Sequence, residues 1–77
     1  MTKEIEEKIR KHLYVDRQLE NVPFELYEEY ITEIRKEVGK SPTAFTPAEV
    51  KEYSKRYIYL DKACEILNKR NMDVLGV

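Results

Sequence analysis

The chain has 77 residues, 38% of them charged, and a formal net charge of -1. That length supports one domain with a modest core, which raises the expectation of pairing with a second copy. Near-neutral charge gives no sign of general affinity for nucleic acid or anionic membrane, no apolar run nears the ~20 residues of a membrane span, and one cysteine, Cys64, leaves no intrachain disulfide, which fits a reducing cytoplasm.

Only two glycines are present, and apolar residues recur at helical spacing rather than in alternation. The pattern predicts an all-α fold of three helices, over about 3–19, 23–38 and 47–70, with the third long and central in a bundle that a homodimer would complete. The opening stretch MTKEIEEKIRKHL lacks the apolar run of a signal peptide. It reads instead as the first helix, with Thr2 as N-cap. Ile5, Ile9, His12, Leu13, Asp16 and Leu19 share one face, a poor stripe because two members are polar. ENVP interrupts the chain, and Pro23 suits the first turn of the next helix.

In the second helix, Tyr27, Tyr30, Ile31, Ile34 and Val38 form a clean inward stripe, and Gly39 is a natural stop. Glu25, Glu28, Glu29, Glu33 and Glu37 face away. These acids read first as a solvated face; the functional reading is that Glu25, Glu28, Glu29 and Glu33 meet a basic partner surface. GKS at residues 39–41 resembles the end of a phosphate-binding loop, but Ile34 stands where that motif needs its first glycine, and a helix rather than a strand precedes it.

The most specific local signal starts the third helix. Thr46 can cap, Pro47 is the first helical residue and Glu49 completes a capping box, while Phe45 and Val50 are spaced as a hydrophobic staple. From there no glycine or proline intervenes before residue 70, giving roughly 36 Å of continuous helix. Val50, Tyr53, Tyr57, Leu60, Cys64 and Leu67 form its inner seam. The tail NMDVLGV is expected to fray or to pack loosely.

KEYSKRYIYLDK, residues 51–62, interleaves tyrosines with bases. On a helical wheel Tyr53 and Tyr57 turn inward, so the interleaving is mostly an effect of reading in one dimension. A second stripe, Tyr59, Ala63 and Ile66, either packs within the bundle or meets a partner protein or a second copy. Lys51, Lys55, Arg56 and Lys62 would serve a competing nucleic-acid reading. A helix-turn-helix is disfavoured, because the connector before the third helix is long and its first turn lacks Arg, Asn or Gln to reach base edges.

Neither catalysis, a metal site nor a cofactor is expected. His12 is the only histidine and has Asp16 one turn away, which predicts a hydrogen bond or a surface pair, not a ligand set. Cys64 on the seam reads as a small buried hydrophobe. YLDKACEIL at Tyr59–Leu67 resembles the SQxLDxLI helix of the small helical-hairpin phosphatases when Leu60-Asp61 are aligned. Tyr57 and Ile58 then replace that motif's Ser and Gln. The resemblance is confined to this stretch and would imply an activity through Asp61. The reading that follows from the whole sequence is a small cytoplasmic interaction module, regulator or inhibitor without catalytic activity.

Overall fold

Local turn chemistry cuts the chain into more pieces than the apolar periodicity alone indicates. The computed structural model describes residues 1–76 and is all-helical there, with α1 (Thr2–Val15), a 3-10 turn (Leu19–Asn21), α2 (Phe24–Glu37), α3 (Pro47–Tyr53) and α4 (Leu60–Lys69). The predicted three helices are therefore four α-helices among the described residues.

α1 ends at Val15 because Asp16 leaves the helical region and organises the turn that follows. Its carboxylate accepts from the Gln18 backbone N–H at 3.2 Å and from Asn21 Nδ2 at 2.7 Å. Asp16 is thus unavailable to His12, and both side chains are exposed; the expected His12–Asp16 pair is replaced by this turn. Ile5 and Ile9 are buried, while Leu13 and Leu19 only pack at the core's edge. Thr2 does not cap α1. It lies within the helix, buried, and its hydroxyl donates to Glu37 at the far end of α2 over 2.9 Å.

Tyr27, Tyr30, Ile31 and Ile34 are buried as the α2 stripe requires, with Val38 half-buried beside them. α1 packs on one side of α2 and α4 on the other, so α2 is the central helix. α1 and α2 run antiparallel, as the Thr2–Glu37 contact at one end and the Tyr27 hydroxyl on the Leu19 carbonyl, 2.7 Å, at the other require. Gly39 ends α2 with φ +74°. The Lys40 N–H reaches the Arg35 carbonyl at 2.8 Å and the Gly39 N–H reaches that of Lys36 at 3.3 Å, the paired bonds of a Schellman close. The GKS stretch is therefore a helix stop.

The capping box forms as its residues dictate. The Glu49 N–H donates to Thr46 Oγ1 at 3.2 Å, and the Thr46 N–H donates to Glu49 Oε1 at 2.8 Å. Lys40 Nζ adds a 2.7 Å bond to the same carboxylate, tying the end of α2 to the start of α3. The staple residues Phe45 and Val50 are both buried.

The expected single helix over 47–70 breaks between Tyr53 and Leu60. A continuous rod of roughly 36 Å would outrun α1 and α2, which have 14 residues each, and would exceed the molecule's longest extent of 33 Å. Folding the rod lets α3 pack on α4. The sequence accommodates the break where Ser54 and then Tyr57, Ile58 and Tyr59, all modest helix formers, follow one another. The seam survives the break: Val50, Tyr57, Leu60, Cys64 and Leu67 are buried, and Tyr53 sits edge-on to Phe45 with ring centroids 5.9 Å apart. Burial pushes the Cys64 thiol up to about 12, which suits its reading as a core residue.

The tail is anchored rather than frayed through residue 76; Val77 lies outside the described residues. Asn71 takes φ 62°, and the Met72 and Asn71 N–H groups close α4 on Leu67 and Asn68 in a second Schellman motif. Asn68 Oδ1 accepts from Val74 and Leu75, Val74 is buried, and Phe45 pairs with Leu75 in an isolated parallel bridge. Arg35, stacked over the Phe45 ring at 4.9 Å, donates to the Val74 carbonyl at 3.4 Å.

Lys40 and the Thr46 backbone hold the Glu49 carboxyl down at about 2, against an ordinary 4.5. A depressed carboxylate contributes stability above its unfolded value and loses it as pH falls through the folded one. Urea midpoints should therefore drop between about pH 4.5 and pH 2, with a shallower drop in Glu49→Gln. Thr46→Ala should cost about 1 kcal/mol at neutral pH, read from the same urea titrations.

Candidate interaction surface

The residues singled out in the sequence separate once folded. Ala63 and Ile66 are 0% and 4% exposed, and Tyr59 is half-buried with its ring edge-on to Tyr30 at 6.4 Å. The second stripe therefore packs inside the chain, where α4 meets α2. A partner or second copy could reach Ala63 and Ile66 only by opening the core, so neither offers a contact surface.

The basic residues of 51–62 do not share one helix. The break puts Lys51 on α3, Lys55 and Arg56 in the turn, and Lys62 on α4. Lys55 pairs with Glu52 at 3.3 Å, and Lys62 lies between Glu20 at 3.6 Å and Glu65 at 3.5 Å. Arg56 lies over the Tyr57 ring at 5.4 Å. Tyr57 itself is 3% exposed, so its ring is not available for stacking.

Polar groups converge in a cleft of about 220 Å³ between the first turn of α1, the end of α2 and the α3–α4 turn. Thr2, Glu6, Glu37 and Tyr57 line it. Glu6 accepts from the Tyr30 hydroxyl at 2.5 Å and Glu37 from Thr2. Burial, with Glu37 close by, raises the Tyr57 hydroxyl above its ordinary range. The Thr2–Glu37 and Tyr30–Glu6 bonds join α1 to α2 here, and the Tyr57 hydroxyl of the α3–α4 turn is buried beside them without a hydrogen-bond partner. The chemistry is that of a structural clasp, with no nucleophile or base poised on an open face.

Three acids of α2 lie as the sequence indicates, whereas Glu37 is drawn into the cleft by Thr2. Glu25, Glu28 and Glu29 are exposed on the face opposite the buried stripe. Glu33 differs: it is half-buried and pairs with Lys36 at 3.3 Å. No ion pair among the described residues includes Glu25, Glu28 or Glu29.

One surface escaped the sequence reading. Tyr14 and Val15, in the last turn of α1, are 90% and 88% exposed. Beside them opens a groove of about 720 Å³ lined by Arg10, Leu13, Tyr14, Arg17 and Leu19. Its leucines are half-buried floor and its arginines are rim. Residues 8–17 hold four bases (Lys8, Arg10, Lys11 and Arg17) and one acid, Asp16. Arg10 pairs with Glu7 at 2.6 Å, whereas Lys11 and Arg17 join no ion pair among the described residues. A signal was present in the sequence: Tyr14 and Val15 fall out of phase with Ile5 and Ile9, so apolar side chains had to face water.

Compared with known proteins, the chain matches no family model, no curated protein and no solved structure.

Burial separates core from contact surface in a way stability measurements detect. Ile66→Ala should cost about 2–5 kcal/mol in urea unfolding, as a cavity in a packed core does. Tyr14→Ser, compared with wild type at concentrations low enough to exclude self-association, should stay within about 0.5 kcal/mol, because its ring contributes little to the fold.

Proposed function

We propose that the chain is a small cytoplasmic protein–protein interaction module, a regulator or inhibitor without catalytic activity of its own. The observation that carries this reading is the exposed Tyr14–Val15 pair above an apolar groove, in a protein whose other large apolar side chains, Met1 and Ile58 apart, are buried or half-buried among the described residues. Two adjacent apolar side chains left in water lower the free energy when a partner covers them, and a polar rim then sets who that partner is. The contact region shifts accordingly from Tyr59, Ala63 and Ile66 to the end of α1. The acidic face of α2, Glu25, Glu28 and Glu29, remains as a second contact element, with Glu33 at its margin. One buried cysteine and no disulfide fit a reducing compartment.

The competing class is a nucleic-acid binder using Lys51, Lys55, Arg56 and Lys62. It has less support, because Lys55 and Lys62 are already engaged by acids. A phosphate strand would have to displace those acids.

A photo-crosslinking residue placed at Tyr14, in cells that naturally contain the protein, should give a discrete protein adduct that survives nuclease. The same residue at Ile58, exposed beside the basic turn, should give none. Absence of any adduct at position 14 overturns the proposed surface. A nuclease-sensitive adduct at position 58 would favour the nucleic-acid reading instead.

A further inference from the structure

We propose that the occupant of the α1 groove is a second copy of this chain, related by a two-fold axis that sets the basic end of α1 against the acidic start of α2. The proposal rests on the surface assigned above and names its partner.

Three observations carry it. First, the two faces are complementary in charge and neither is neutralised within the chain. Lys11 and Arg17 on one, and Glu25, Glu28 and Glu29 on the other, make no ion pair among the described residues. The nearby acids Asp16 and Glu20 are otherwise engaged, by Asn21 and Lys62. Second, both faces lie at the same end of the molecule. α1 and α2 are antiparallel, so the last turn of α1 adjoins the first turns of α2. Third, a neutralising contact alone would be weak in water, but the apolar pair Tyr14–Val15 and the groove beside it supply area to bury.

Two unlike faces on one copy usually build rings or open chains. Because these faces adjoin, a two-fold axis through that end brings each α1 onto the other copy's α2. Every attractive contact is then made twice, and the assembly closes as a dimer.

Sedimentation equilibrium with two charge-reversed variants tests the geometry. The first variant is Lys11→Glu/Arg17→Glu, and the second is Glu25→Lys/Glu28→Lys. All four positions are exposed, so both variants should fold, which circular dichroism checks. Wild type should sediment at twice the chain mass, and each variant alone at the chain mass. An equimolar mixture should return to twice the chain mass, because one contact then keeps its native charges and the other is reversed on both sides, so both are attractive. Tyr14→Ser should raise the dimer dissociation constant about tenfold or more, as loss of a central aromatic does. A monomeric wild type, or a mixture that stays monomeric, overturns the proposal. If wild type is monomeric but the Tyr14 crosslink to another protein persists, the interaction surface stands and its occupant is a different chain. A mixture forming larger assemblies overturns the two-fold arrangement.

Discussion

The fold depends on one hydroxyl, that of Tyr30. Its ring is fully buried at the middle of α2. The hydroxyl donates to the Glu6 carboxylate on α1 at 2.5 Å and accepts the Tyr59 backbone N–H at 3.4 Å. Tyr59 is the N-cap of α4 and receives no cap from its own helix. Once the rod over residues 47–70 breaks, a new helix start must find a partner for that N–H, and a side chain from α2 supplies it. Desolvation, reinforced by the bond to Glu6, raises the Tyr30 hydroxyl far above its ordinary range, so it stays protonated and able to donate. A single buried group thus fixes α1 to α2 and sets where α4 begins.

Placing the break there determines the surface. With α3 and α4 folded on each other, Ala63 and Ile66 turn into the core, and Tyr59 seals the junction edge-on to Tyr30. The apolar pair left over, Tyr14 and Val15, is exposed in the last turn of α1. The charges of α1 and α2 at that end have opposite sign. Recognition there is a matter of a small apolar anchor with a charged surround, which favours selectivity and fast encounter over great affinity.

Elements governed by neighbours in sequence were legible. The capping box at Thr46 and Glu49, the stop at Gly39, the tyrosine stripe of α2 and the solvated acids beside it all follow from spacings of a few residues. Elements governed by distant contacts were not. No glycine or proline marks the break between Tyr53 and Leu60; its cause is the length available to pack against, together with the cap from Tyr30, 29 positions away. The tail read as loose because its anchors, Phe45, Asn68 and Arg35, lie on other elements or in the preceding helix. Thr2 looked like a cap until its true partner, Glu37, came within reach from 35 positions away. For the interaction surface the periodicity held the answer in negative form: Tyr14 and Val15 belong to no inward stripe.

The most direct measurement on this account is urea unfolding and amide hydrogen exchange of Tyr30→Phe, which keeps the ring and removes the hydroxyl. Loss of a buried bond to a charged group predicts a destabilisation of about 1.5–3 kcal/mol. Faster exchange at the Tyr59 amide should accompany it, beyond what the global loss explains. Unchanged stability with an equally protected Tyr59 amide would contradict the central role of that hydroxyl and return the break to a purely local cause.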